Sequence, residues 1–238
     1  RRDLRNMSQV ITPLIFGIIY GIMLLRTRGQ VPAGRGEAPA IFLTLMENAL
    51  VYGNVGLSLF VGWSLLSRLA LMGFSQEGKS YWILKASPIR SRPLLLAKFL
   101  VAYLPALVLS WIFLLIIALI QRASITMVLF GLAVVALCMA GTAGINLAFG
   151  VKGAKLDWED PRYMSSGTTG CLSALTTLAF LPISLALFFG PPVVLPIFGI
   201  PEVTGQWIGL LLGGIISVLC TFLPPWLVYK QVERIGDS

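Results

Sequence analysis

The stretch FSQEGKSYWILKASPIRSRPLLLAKF, Phe74–Phe99, lies between two long apolar runs and holds one acidic and five basic residues. Its reading decides the fold, because everything around it is oily. The chain has 238 residues, 57 % of them hydrophobic and 12 % charged, with a mean hydropathy of +0.86. A water-soluble core cannot hide that much apolar surface, so the solvent for most of the chain is lipid. Phe74–Phe99 is then a polar segment held between two membrane spans.

Working outward, six segments carry the roughly 20 apolar residues a helix needs to cross the hydrocarbon. They are residues 9–26, 49–73, 94–120, 125–149, 167–189 and 206–229. Backbone polar groups in lipid must be satisfied within the segment, so all six read as helices of one transmembrane domain over residues 1–238. The expected fold is all-α, a polytopic membrane protein with six transmembrane helices. The third and fourth are joined by the short turn around QRAS and form an antiparallel hairpin. The polar segments 74–93 and 150–166 lie on one side. The opening RRDLRNMSQ has neither an initiator methionine nor a signal-peptide pattern and reads as the start of a segment of a longer chain.

Charge sets the orientation. Fourteen of the eighteen basic residues fall on the side that carries both termini and Phe74–Phe99, and only Arg26, Arg28, Arg35 and Arg122 fall on the other. Cytoplasmic loops carry the excess of lysine and arginine, which puts both termini in the cytoplasm. The net charge of +8 is thus a topology signal, and nothing else in the chain points to nucleic acid.

The segment GPPVVLPIFGIPEVTG, Gly190–Gly205, is apolar, short and holds four prolines. It cannot be a straight span. A re-entrant outer segment shielded by protein fits it best, with an apolar outer loop as the other reading.

Several residues invite a functional reading. In SQEGKSYWILK the apolar residues spread around a helical wheel instead of forming one stripe. A short helix enclosed by protein, partly in its own chain and partly in a partner, explains the scatter. Ser87–Pro88 ends it. The plainer alternative is a basic interfacial loop anchored by Tyr81 and Trp82. In the second polar loop Asp157, Glu159 and Asp160 surround Trp158. With no histidine in the chain and no nucleophile pattern nearby, a docking surface or a helix start is the better reading than acid–base chemistry. In the second span Glu47, Asn54, Ser58 and Arg68 fall within an arc of about 80°. Asn54 and Ser58 lie deep and read either as a translocation path or as interhelical hydrogen-bonding glue. Gly17 and Gly21, and Gly209 and Gly213, form GxxxG pairs, while Ala136, Ala140, Gly144 and Ala148 form an i, i+4 series. Such small faces let helix backbones approach closely. Cys138, Cys171 and Cys220 lie far apart in apolar runs and read as buried hydrophobes. There is no GxxxxGK[ST] and no HExxH.

These features together resemble the membrane domain of bacterial type-2 ATP-binding cassette exporters. Phe74, Ser75, Glu77, Gly78, Trp82, Leu84, Pro88 and Lys98 match the pattern F-S-x-E-G-x-x-x-W-x-L-x-x-x-P with its following leucine run and lysine. Trp158, Glu159, Asp160 and Pro161 match a second marker, an aromatic between acids before a proline. RRDLRNMSQVITPLI resembles the approach to the first span. The resemblance implies a permease subunit of an exporter in the bacterial plasma (inner) membrane. It implies that residues Glu77–Lys85, with Gly78, Lys79, Tyr81 and Trp82, form a coupling helix seated in a separate cytoplasmic ATPase subunit. Trp158, Glu159 and Asp160 become a second contact. It implies a second membrane half, as a homodimer, a heterodimer or a fused half. No cofactor is then expected in this chain, ATP and Mg²⁺ residing in the ATPase partner, and no enzyme activity of its own. The rival reading is a non-transporting membrane scaffold of a larger complex using the same loops for docking. A secondary transporter fits less well, because every acid lies at or outside a membrane edge.

Overall fold

The computed structural model describes residues 15, 17–20, 22–23, 40–86, 91–157, 167–232 and 235. Residues 15, 17–20, 22 and 23, within the expected first span, are helical. The remaining helices are α1 (Ala40–Leu71), α2 (Tyr81–Ala86), α3 (Ser91–Gln121), α4 (Ile125–Lys152), α5 (Gly167–Val194) and α6 (Glu202–Val232), with 3-10 turns at Ser75–Ser80 and Leu195–Phe198. No β-strand occurs among the described residues. Five helices, α1 and α3–α6, are long and apolar enough to cross a membrane. Their ends run past the apolar windows of the sequence. A 31-residue helix such as α3 is about 46 Å long, against a hydrocarbon core of about 30 Å. Hydropathy marks the part in lipid, whereas the helix continues through the interface.

The chain divides into two compact units. The first comprises Arg1–Ser64, Leu107–Ala136 and Leu185–Gly214. Here the buried polar residues bind helices together. Tyr20 donates its hydroxyl to Asn54 Oδ1 at 2.8 Å, and Asn54 Nδ2 donates to Gln121 Oε1 at 2.7 Å. Ser58 donates to the Ser110 carbonyl at 2.7 Å. The Trp111 indole N–H donates to the Leu132 carbonyl at 3.1 Å. Asn54 and Ser58 are both buried, and both bond to another helix. Ser124 caps the start of α4 by accepting the Met127 amide at 3.4 Å.

Residues 190–205 also lie in this unit, and their expected bounds need correction. Gly190–Val194 stays in α5 despite Pro191 and Pro192, and only then come the 3-10 turn, the left-handed Gly199 (φ 77°) and the start of α6. A proline has no N–H to return to the carbonyl four residues earlier, so Leu187 and Phe188 lose their helical partners. Gly209 packs its backbone against those two carbonyls, where a methyl group would run into the Phe188 oxygen. A methyl on Gly213 would lie 2.6 Å from the Phe188 ring. The Gly209–Gly213 pair therefore grips one residue, Phe188. Gly17 likewise faces the Phe113 ring. Gly17, Gly209 and Gly213 thus each face another helix, and Gly21 lies outside the described residues.

The second unit comprises Leu65–Ala106, Leu137–Ser184 and Ile215–Ser238. The same proline–glycine device recurs in it. Pro224 and Pro225 sit inside α6 and strip the carbonyls of Cys220 and Thr221 of their helical amides. A methyl on Gly144 of α4 would lie 2.5 Å from the Cys220 oxygen and 2.7 Å from that of Thr221. Only a glycine lets its Cα hydrogens reach such carbonyls. Gly150 does the same for Ala70 and Leu71 at the end of α1. Ala140, four residues before Gly144, is half-buried.

A polar ladder runs along α4 beside these glycines. Asn146 donates to the Thr142 carbonyl at 2.8 Å and to Thr177 Oγ1 at 3.3 Å, and accepts from Ser173 at 2.8 Å. Cys138, Ser184 and Ser217 form a chain of contacts at 3.5 and 3.2 Å. All of these residues are buried and matched, as groups without water must be.

Candidate functional site

The residues of Phe74–Phe99 lie in the second unit and are tied down there at several points. Phe74 is fully buried and meets the Tyr81 ring edge-on at 6.4 Å. Around them pack Leu95, Leu147, Val151, Val228, Val232 and Ile235. Burial pushes the Tyr81 phenol above its ordinary pKa, so its hydroxyl remains a donor, directed to the Val232 carbonyl at 3.4 Å. Ser75 Oγ accepts the Lys155 amide at 3.1 Å, joining the two polar loops. Glu77 forms an ion pair with Lys98 of α3. Arg92 lies over the Tyr229 ring, 5.2 Å from its centroid.

Local sequence explains the shape. Gly78 adopts φ 51° and ψ −134°, a region that side-chain-bearing residues avoid. It breaks the segment into a 3-10 turn and the short helix α2, and its carbonyl accepts the Tyr81 amide. The single helix expected over Glu77–Lys85 is therefore two helical pieces about a glycine kink. The kink sends Tyr81 inward and leaves Trp82 and Ile83 outside, 67 % and 57 % exposed. The wheel scatter thus has a physical cause, since one side of α2 serves its own chain.

The expected site residues fall into three groups. Glu77, Gly78, Tyr81 and Trp82 come together here. Lys79 and Lys85 have their backbones in the 3-10 turn and in α2, and their side chains lie outside the described residues. Trp158, Glu159 and Asp160 lie outside the described residues altogether, as does the side chain of Glu47. Glu77, which the resemblance places in the contact with the ATPase subunit, carries an ion pair with Lys98 of its own chain. Sequence reading missed Tyr229, Val232 and Ile235 as the seat of the segment, and it counted Arg92 only as a topology charge. It also missed the ladder of Cys138, Thr142 and Asn146, whose i, i+4 spacing on one face of an apolar helix was the available signal.

Five lipid-length helices, buried hydrogen bonds between helices and a polar segment clamped at the ends of three of them define a class, an all-α chain built for a membrane. Residues 35–234 match the family model described as "Putative ATP-binding cassette", and the chain belongs to that family. No curated protein and no solved structure matches it significantly. The chain has no GxxxxGK[ST] loop, and among the described residues no three His, Cys, Asp or Glu side chains are grouped to hold a metal.

Proposed function

We propose that the chain is the permease subunit of an ATP-driven exporter, with α2 as the element that couples it to a separate ATPase subunit. One observation carries the reading. Trp82 and Ile83 are exposed on a helix whose root, Phe74 and Tyr81, is buried in its own unit. A large aromatic held outward on a fixed stem is the form of an interface anchor. Membership of an ATP-binding cassette family in a chain without a P-loop supports a division of labour, nucleotide in the partner and the path for substrate in the membrane helices. The excess of basic residues on the side of α2 supports a cytoplasmic position for it. A second membrane half completes the transporter, and the setting is the bacterial plasma membrane.

The test is the ATPase activity of the reconstituted complex, measured with co-purification of the two subunits. Trp82→Ala should leave membrane insertion intact, weaken retention of the ATPase, and uncouple hydrolysis from the permease. If the variant holds its partner and supports hydrolysis as the unmodified chain does, Trp82 is a lipid-interface anchor and the coupling assignment fails. If no ATPase accompanies even the unmodified chain, the scaffold reading replaces export.

A further inference from the structure

Beside the clamp, within the second unit, lies a cavity of about 450 Å³ between the first turns of α3 and the last turns of α6. This is the size range of small-molecule sites. Its walls are hydrocarbon, chiefly Leu95, Leu96, Phe99, Phe222 and Trp226. The Thr221 hydroxyl at its edge is already donated to the Ser217 carbonyl at 2.7 Å. Leu96, Phe222 and Trp226 are 59 %, 69 % and 63 % exposed, so the cavity is a groove open at the lipid-facing surface. One end is different in kind. Arg92 closes it, exposed, its guanidinium carbon 5.2 Å from the centre of the Tyr229 ring. Arg92 is the second residue of α3 and precedes its leucine run, which in a bilayer would set it near the level where headgroups meet hydrocarbon.

We propose that this groove binds one anionic phospholipid, its phosphate on Arg92 and an acyl chain between Leu95, Phe99 and Trp226. The charge decides the occupant. An apolar peptide helix or a neutral lipid would satisfy the walls and leave the guanidinium without a counterion. Arg92 rests over the Tyr229 ring as a cation, and a guanidinium offers several N–H donors with which arginine binds phosphate. A basic residue at the mouth of an apolar groove between membrane helices is a form that selects acidic headgroups. Nothing in this inference depends on the exporter reading. It requires only that α3 and α6 lie in a bilayer.

The test uses the protein reconstituted in phosphatidylcholine vesicles containing increasing fractions of brominated lipid, which quenches tryptophan on contact. The Trp226 signal is the difference between the unmodified protein and Trp226→Phe. Brominated phosphatidylglycerol should quench it at about fivefold lower mole fraction than brominated phosphatidylcholine, the equivalent of about 1 kcal/mol for one basic residue at the membrane surface. Arg92→Gln should bring the two lipids to the same curve, and Arg92→Lys should keep them apart. Equal curves in the unmodified protein would reduce the groove to ordinary lipid contact and overturn the proposal. Absence of quenching by either lipid would mean that protein fills the groove, and would overturn it equally. A phosphatidylglycerol preference that survives Arg92→Gln would remove Arg92 as the phosphate site.

Discussion

Tyr81 and Trp82 are adjacent in sequence and opposite in environment, 4 % and 67 % exposed. Their substitutions should therefore separate two properties. Trp82→Ala removes little internal packing from the unit, so thermal unfolding in detergent should shift little. Affinity for the proposed ATPase partner should fall by on the order of 2 kcal/mol or more, as for a buried interface aromatic. Tyr81→Ala should do the reverse first, opening a cavity beneath Phe74 at about 3–5 kcal/mol, as for Phe or Trp truncations. A Trp82→Ala protein that unfolds as readily as Tyr81→Ala would contradict this division. The Glu77–Lys98 pair is partly exposed, with side chains 36 % and 18 % accessible, so its worth is about 1 kcal/mol at most. A double-mutant cycle with Glu77→Ala and Lys98→Ala measures it, and a coupling well above that would place the pair in a drier site than its exposure indicates. Residue chemistry was legible where one position decides it. The scatter of Tyr81, Trp82 and Ile83 marked a helix without a single apolar face, one residue buried and two exposed, and Gly78 marked a weak point in it. That Glu77 meets Lys98, 21 residues away, was not legible, because a lone acid among five bases has no preferred partner until the chain folds.

At the level of elements, the glycines divide by what they face. Gly144 lies against two backbone carbonyls, which cannot rotate aside as a side chain can. Gly144→Ala should cost about 1–3 kcal/mol, the usual penalty of overpacking. Gly53 of α1 has nothing within 4 Å of a built methyl group. Gly53→Ala should be neutral or slightly stabilising, since alanine is the better helix former. Thermal melts of the two variants in one detergent check both statements, and equal losses would show that glycine content, not contact, governs the helices. The small-residue faces were visible as i, i+4 spacing, but their partners were not. Spacing reports which residues share a face, and the identity of the opposing carbonyl depends on proline positions in another helix. The helices themselves were the most legible feature, because hydropathy reads the surrounding solvent directly. The bounds around Gly190–Gly205 were less so, since proline was taken to end α5. A facing glycine that covers the freed carbonyls lets the helix continue.

For the molecule as a whole, the proposed cytoplasmic placement of α2 rests on the basic excess. It predicts that single cysteines replacing Lys79 and Lys155 resist a membrane-impermeant maleimide applied from outside, and that one replacing Arg35 reacts, in a background without Cys138, Cys171 and Cys220. Labelling at Lys79 and Lys155 with protection at Arg35 would invert the topology and remove α2 from any cytoplasmic partner. One feature of α6 bears on how a push at α2 would be transmitted. An intact helix resists bending as a beam does, through its ladder of hydrogen bonds. Pro224 and Pro225 remove two consecutive rungs, and sharp bends in helices concentrate at such sites. Tyr229 and Val232, which Arg92 and Tyr81 hold, lie just beyond the gap. The last two turns of α6 are thus the short arm of a jointed lever. In the proposed coupling they would tilt with the polar segment while Gly144 keeps the fulcrum, at Cys220 and Thr221, seated on α4.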